Sequence, residues 1–153
     1  MSEPTPSSPA APRSEYIWAF LLLRLFIGLR TLLEGLEKFE SNGRYSFATY
    51  YENMKRMAQG ITGASFLPLW ATRFFADSLG YLLIVLGAAL LLGIKSRVTL
   101  VLTGLLYVGL SFGLMAVQEN EGVAWLAIHV ILIVGALLLV RHDRLALWPG
   151  PSA

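Results

Sequence analysis

Four long apolar runs dominate this chain of 153 residues and leave few folds open to it. They cover residues 17–38, 67–92, 98–117 and 123–140. Each run is close to the roughly 20 residues that an α-helix needs to cross the hydrocarbon core of a bilayer. The third run contains no charged residue and the fourth carries only His129, so neither has the polar face of a helix in a soluble bundle. The pattern predicts an all-α fold, a bundle of four transmembrane helices.

The composition supports a lipid environment over the alternative, a soluble bundle of four buried helices. Charged residues make up 14% of the chain, against about 25% in soluble domains. The chain has no cysteine, which excludes disulfides, thiolate ligation of iron–sulfur clusters and cysteine-type zinc sites, and we expect no metal site. Its basic residues mostly flank the apolar runs, whereas nucleic-acid binding needs a clustered basic face, so we expect no nucleic-acid partner.

The segments outside the apolar runs predict a tail and a fifth helix. Residues 1–14 are rich in Pro and Ser and predict a disordered tail ahead of a membrane domain at 15–148. The first connection between spans is long, and aromatic residues and methionines recur in it at a spacing of three to four. We predict an interfacial amphipathic helix over residues 46–58, with an aromatic-bearing loop as the alternative. The residues of this pattern are Phe47, Tyr50, Tyr51, Met54 and Met57.

Basic residues near the span ends predict the orientation. One side holds both termini and the basic turn with Lys95 and Arg97, and Arg141 and Arg144 end the fourth span there. The short loop on the other side, residues 118–122, is acidic. Because short cytoplasmic loops carry an excess of Lys and Arg, we predict a bacterial-type inner membrane location with both termini cytoplasmic.

The first span carries unusual charge for a transmembrane helix. Arg24 and Arg30 lie inside it, and together they cost about 5–7 kcal/mol on an insertion scale. Its twelve Leu, Ile and Phe residues over positions 17–36 favour insertion by roughly 4–7 kcal/mol, which offsets this cost. Insertion of this helix by itself is therefore marginal. The polar residues share one side of the helix with Gly28 and Gly35, which permit close approach of another helix. We expect that side to face protein and the leucine side to face lipid.

Other spans place polar residues in the same half of the membrane, beneath the long loop. If the first span ends near position 38 and the second enters there, these residues lie about 6–12 Å deep. The candidate binding or proton-relay residues are Arg30, Glu34, Lys38, Arg73, Asp77 and His129. Two interpretations stay open: a structural ion-pair network, or a pocket for a quinone head group or small anion. A b-type haem fits poorly, because His142 lies about 20 Å along a helix from His129.

Several short motifs together resemble one family. They are the first-span spacing of Arg24, Gly28, Gly35 and Lys38, the second-span ending from Gly87 through Gly93 to Arg97, and the close of the fourth span beginning at Arg141. Over about residues 16–147 the chain resembles the DoxX/DoxD family of small four-helix integral membrane proteins. The resemblance implies partner subunits in a membrane complex, and one branch of the family supplies the membrane subunit of thiosulfate:quinone oxidoreductase.

The resemblance favours a membrane subunit of a quinone-linked redox complex, with a quinone held non-covalently. The chain departs from the family in its second span, where an acidic residue often precedes the glycines closely; Asp77 lies nearer the start of that span. Two other functions stay open: a non-catalytic scaffold for a larger complex, and a small transporter. Gly109 and Gly113 form a GxxxG motif that suits packing within the bundle or between copies.

Overall fold

The computed structural model describes residues 14–41 and 43–148, and these form an almost entirely helical protein. The predicted disordered tail lies outside this range except for Ser14, which begins the first helix. A two-stranded antiparallel hairpin separates the first two helices. In chain order the elements are α1 (Ser14–Glu37), β1 (Glu40–Ser41), β2 (Arg44–Tyr45), α2 (Phe47–Ala64), α3 (Leu69–Leu92), α4 (Ser96–Ala116), α5 (Asn120–Leu139) and a 3₁₀ turn (Val140–His142).

Four of these helices are long and apolar enough to cross a membrane, and they correspond to the four predicted spans. The α3 helix begins after Pro68 and ends at Gly93, which adopts the left-handed conformation (φ 68°) and donates its N–H back to the last turn. Exposed leucines cover the outer side of α1, as predicted for a face that meets lipid. The structure therefore supports a multi-pass membrane protein.

The closest helix packing in the bundle joins α1 and α3 through glycines. A Cβ atom built on Gly87 of α3 would lie 2.5 Å from the backbone nitrogen of Leu32 and 2.9 Å from the carbonyl oxygen of Gly28. A Cβ atom on Gly35 of α1 would lie 2.8 Å from the side chain of Ile84. These contacts fix the register of the two antiparallel helices, and they confirm that the glycine-bearing side of α1 faces another helix.

The α2 helix packs along the first half of α3 and is longer than the predicted 46–58 segment. Near its start, the buried Tyr50 reaches Gly80 of α3; near its end, Thr62 bonds to Thr72 at 2.6 Å. The contacts thus run antiparallel, with the buried side of α2 against protein. The location of α2 at the membrane interface stays a prediction.

The hydroxyl of Tyr50 forms hydrogen bonds with backbone groups of α3. The hydroxyl donates to the carbonyl oxygen of Asp77 at 2.7 Å and accepts from the N–H of Gly80 at 3.1 Å. Burial raises the pKa of the Tyr50 hydroxyl above its usual value of 10, so it stays protonated and able to donate. Gly80 is required here, because a Cβ atom would lie 2.6 Å from the Tyr50 ring.

We predict that Gly87→Ala destabilises the bundle, because the added methyl group meets the α1 backbone, which cannot move aside as a side chain can. The expected loss is about 1–3 kcal/mol in the free energy of unfolding, the usual cost of overpacking. The measurement is SDS-induced unfolding in mixed micelles, followed by far-UV circular dichroism. Gly60→Ala in α2 is the matched control, because a Cβ atom there meets open space. Equal stability of the Gly87→Ala variant and the native chain would contradict the tight α1–α3 crossing.

Candidate functional site

The best-connected polar group in the centre of the bundle is Tyr107, near the middle of α4. Its hydroxyl donates to a carboxylate oxygen of Glu34 at 3.2 Å. It also lies 3.2 Å from the hydroxyl of Thr31, which is fully buried. Since a phenol has only one proton, Tyr107 accepts from Thr31 when it donates to Glu34. The three side chains form a directed hydrogen-bond chain between α1 and α4 that ends on a carboxylate.

His129 of α5 joins this cluster through the Tyr107 ring. The two rings stack in parallel with centroids 5.5 Å apart, and Phe26 of α1 covers the imidazole at 6.5 Å. The imidazole Nδ1 lies 2.7 Å from the carbonyl oxygen of Trp125 and must donate to it, since a carbonyl only accepts. In the neutral imidazole, Nε2 therefore carries the lone pair. Among the described residues this buried Nε2 has no hydrogen-bond partner.

Two other predicted residues, Arg30 and Lys38, are each four positions from Glu34 in the sequence. Arg30 shares the face of Glu34 and forms an ion pair with Glu37 at 3.8 Å. Lys38 follows the end of α1 and has no ion pair within the described part of the chain. Glu34 itself also has no ion pair there, so its carboxylate is held by the Tyr107 hydroxyl alone. The charge on this carboxylate is the least compensated in the cluster.

The structure does not place Arg73 and Asp77 in this cluster. They pair with each other at 3.6 Å on the outer side of α3. The reason is the register of the α1–α3 crossing, in which Gly35 lies against Ile84. Asp77 is seven residues from that contact, about 10 Å along the helix axis. The structure therefore separates these two residues from the Tyr107 cluster, and a binding or relay role for them stays a prediction.

Tyr107, Thr31 and Trp125 link the cluster, but the predicted site residues did not include them. In a sequence, a tyrosine within an apolar span looks the same as an aromatic residue that only packs in the core. One signal was available, because Tyr107 is the only tyrosine of α4 and lies near its middle, whereas tyrosines of membrane helices are enriched at the two interfaces. A buried tyrosine needs a partner for its hydroxyl, so its central position predicts a polar neighbour.

A second polar centre lies at the end of the bundle where the turn after α3 leads into α4. Arg24 is buried and pairs with Asp143 at 2.9 Å, while its other terminal nitrogen donates to the carbonyl oxygen of Leu145 at 3.1 Å. A Cβ atom on Gly93 would lie 2.6 Å from the Arg24 guanidinium, so the turn after α3 also closes over it. The backbone N–H of Lys95 donates to the carbonyl oxygen of Trp148, and the N–H of Trp148 donates to the carbonyl oxygen of Gly93, which holds the C-terminal segment beside this turn. This centre is an anchoring contact.

The remaining motif residues also have assignable places. Gly28, Gly35 and Gly87 lie in the α1–α3 crossing, and Arg97 is exposed at the start of α4. The described residues contain no group of three or more His, Cys, Asp or Glu side chains that fits a metal ion.

We predict that Asp143→Ala lowers the free energy of unfolding by about 3–5 kcal/mol, since it leaves the buried Arg24 charge unpaired. SDS-induced unfolding in mixed micelles measures this loss. The double variant Arg24→Leu, Asp143→Leu should recover most of the stability, because replacing both members of a buried ion pair is often neutral. Arg141→Ala, an exposed neighbour, should change stability by less than about 0.5 kcal/mol. An Asp143→Ala variant as stable as the native chain would contradict the anchoring role.

Comparisons of this chain with protein-family models, with curated protein sequences and with solved structures found no match. The resemblance to the DoxX/DoxD family therefore stays a prediction that rests on its motif residues.

Proposed function

We propose that the protein is the integral membrane subunit of a quinone-linked redox complex, and that the cluster of Glu34, Tyr107 and His129 holds the quinone head group. One observation carries this proposal: a carboxylate, a phenol and an imidazole from three different helices meet inside an apolar bundle, and the imidazole Nε2 has no partner among the described residues. An intramembrane ionisable group is costly and by default indicates function. The resemblance to the DoxX/DoxD family supports the same activity.

The chemistry of His129 suits both forms of a quinone. Reduction of a quinone to a quinol adds two electrons and two protons. A quinone oxygen only accepts hydrogen bonds, so it pairs with the protonated Nε2–H, whereas a quinol hydroxyl donates to the neutral Nε2. The hydrogen bond from Nδ1 to the Trp125 carbonyl keeps Nε2 as the exchanging nitrogen in both cases. The electrons come from a partner subunit, for which thiosulfate is the donor that the resemblance suggests.

The carboxylate of Glu34 supplies the second part of proton exchange. It accepts from Tyr107, whose ring lies against the imidazole, so the carboxylate and the imidazole contact the same side chain. Arg30, one turn away on α1, pairs with Glu37, so no described cation pairs with the Glu34 carboxylate.

Binding of a short-tailed quinone to the purified chain in lipid nanodiscs tests this site. Quinones quench tryptophan fluorescence, and Trp125 is one helical turn from His129, so we use a chain that keeps Trp125 and has Phe at the other three Trp positions. We expect saturable quenching whose apparent Kd rises at least tenfold in Glu34→Gln and His129→Leu. Each variant removes a polar contact to the head group, worth about 1.5 kcal/mol or more.

Glu121→Gln is the matched control, since it removes an exposed carboxylate from the same helix as His129 and should leave the Kd unchanged. Quenching that does not saturate, or an unchanged Kd in both cluster variants, would contradict the site.

Membranes that contain the chain and its native partner should lose quinone-dependent thiosulfate oxidation in Arg30→Leu and His129→Leu. Loss of complex assembly in these variants, with no quinone binding by the native chain, would indicate the scaffold alternative.

In this proposal both termini face the cytoplasm of a bacterial-type inner membrane, as the basic residues near the span ends favour. The absence of cysteine from the chain makes the test direct, because a single introduced thiol has no competitor. We expect Glu119→Cys, in the α4–α5 turn, to react with a membrane-impermeant maleimide in spheroplasts. Arg97→Cys, at the opposite end of α4, should react only after the membrane is permeabilised; the reverse labelling would contradict the orientation.

A further inference from the structure

Charged residues occupy one narrow side of the last two turns of α1. Arg30, Glu34 and Glu37 fall within an arc of about 60° on the helix, which we name the α1 polar stripe. The stripe lies between the exposed leucines, such as Leu33, and the fully buried side that holds Thr31. Glu34 is half-buried, so part of its side chain is accessible.

The ion pair of the stripe runs alongside Glu34. Arg30 and Glu37 are seven residues apart, about 10 Å along the helix axis, yet their side chains meet at 3.8 Å. They must therefore extend toward each other over the turn that carries Glu34. Their side chains are 42% and 61% exposed, so the pair covers the stripe without burying it.

The stripe continues to one end of the bundle only. Glu34 lies three residues, about 4.5 Å, before the end of α1, and Lys38 follows that end directly. This is the end that also holds the α4–α5 turn, and we call it the hairpin side. In the other direction Ile27 and Phe20 are completely buried in the apolar core, and the next charge, Arg24, is buried and paired. An apolar core therefore separates Glu34 from the opposite end.

The depth of the stripe determines what solvates it. The 24 residues of α1 span about 36 Å, some 6 Å more than the hydrocarbon core, which places Glu34 close to the hairpin-side boundary. Charged side chains in membrane helices face the bundle interior or a water-filled cavity, because hydrocarbon does not solvate them. Water that enters from the hairpin side along the stripe stabilises the exposed pair, whereas lipid does not.

We propose that water on the hairpin side reaches Glu34 along the α1 polar stripe, so that Glu34 exchanges protons with that compartment alone. A proton from this water converts the carboxylate to the neutral acid, and it leaves by the same route. The use of these protons at a bound quinone rests on the proposed function. The other titratable or charged groups around Glu34 are Arg30, Glu37, Lys38, Tyr107 and His129, and within the described part of the chain α2 and α3 supply it with no hydrogen bond or ion pair.

Introduced cysteines test the route directly, because the chain has no cysteine of its own. A thiol reacts with a membrane-impermeant methanethiosulfonate only where water reaches it, so we measure the labelling rate of the full-length Glu34→Cys chain in liposomes. It should react from the same side as Glu119→Cys, the benchmark for the hairpin side, and at least tenfold faster than Leu33→Cys. Leu33 is the matched control, since it has nearly the same depth but is 45% exposed among the lipid-facing leucines.

The pH on each side of the liposome shows which compartment exchanges protons with position 34. The thiolate is the reacting form, and for a thiol pKa of about 8.5 its fraction rises more than tenfold between about pH 6.5 and 8. Raising the pH on the hairpin side over this range should therefore accelerate the labelling of Glu34→Cys at least tenfold. The same change on the opposite side should leave the rate unchanged.

Arg30→Cys, one turn deeper in the stripe, should also react from the hairpin side, with Leu29→Cys as its lipid-facing control, and far-UV circular dichroism establishes that each variant is folded. Three results would each overturn the proposal: labelling of both folded stripe variants no faster than their leucine controls, labelling from the side of Arg97→Cys, or a rate that follows the pH of the opposite compartment. Labelling as expected in a chain that binds no quinone would support the route and contradict the proposed function.

Discussion

The buried contact between Arg24 and Asp143 is the interaction on which the rest of this membrane bundle depends. The first helix carries an arginine that lipid cannot solvate, and its carboxylate partner lies beyond the last helix, 119 residues later. Pairing them compensates the charge and brings the C-terminal segment against the turn after α3, where Gly93 leaves room for the guanidinium. The insertion of α1 by itself is marginal, and the cost of its arginine is offset only when the whole bundle has assembled. The stability of the first helix therefore depends on the segment that follows the last.

The same face of α1 then organises the centre of the bundle. After Arg24, Gly28 and Gly35 admit α3 to close contact, and between these glycines Thr31 and Glu34 meet Tyr107. The opposite face keeps its exposed leucines for lipid. The α1 helix thus carries the anchoring Arg24 toward one end and the hydrogen-bond acceptor Glu34 near the other. Between these two points, the close approach of α3 sets the register of the two helices.

The helices and their lipid-facing sides could be predicted from the sequence, because run length, apolar periodicity and stop signals such as Gly93 act locally. The site could be predicted only in part. His129, Glu34 and Arg30 lie where three helices meet, but the register of α1 against α3 depends on which glycine contacts which backbone atom. No local pattern encodes that register, so the distance of Asp77 from the Tyr107 cluster could not be predicted from the sequence. The sequence did not predict Asp143 as the partner of Arg24 for the same reason. Two residues 119 positions apart share no periodic pattern that would indicate their contact.

The two polar centres differ in how their charges are compensated, and this difference separates structure from function. Arg24 has an ion pair and a carbonyl acceptor, so its charge is compensated within the chain, although its Nε has no hydrogen-bond partner among the described residues. The central cluster ends on the Glu34 carboxylate without an ion pair and on the His129 Nε2 without a partner among the described residues. An unsatisfied buried polar atom costs about 1–3 kcal/mol. A network that served stability alone would gain by replacing His129 with an apolar residue, so the retained base fits an exchange of protons with a bound ligand.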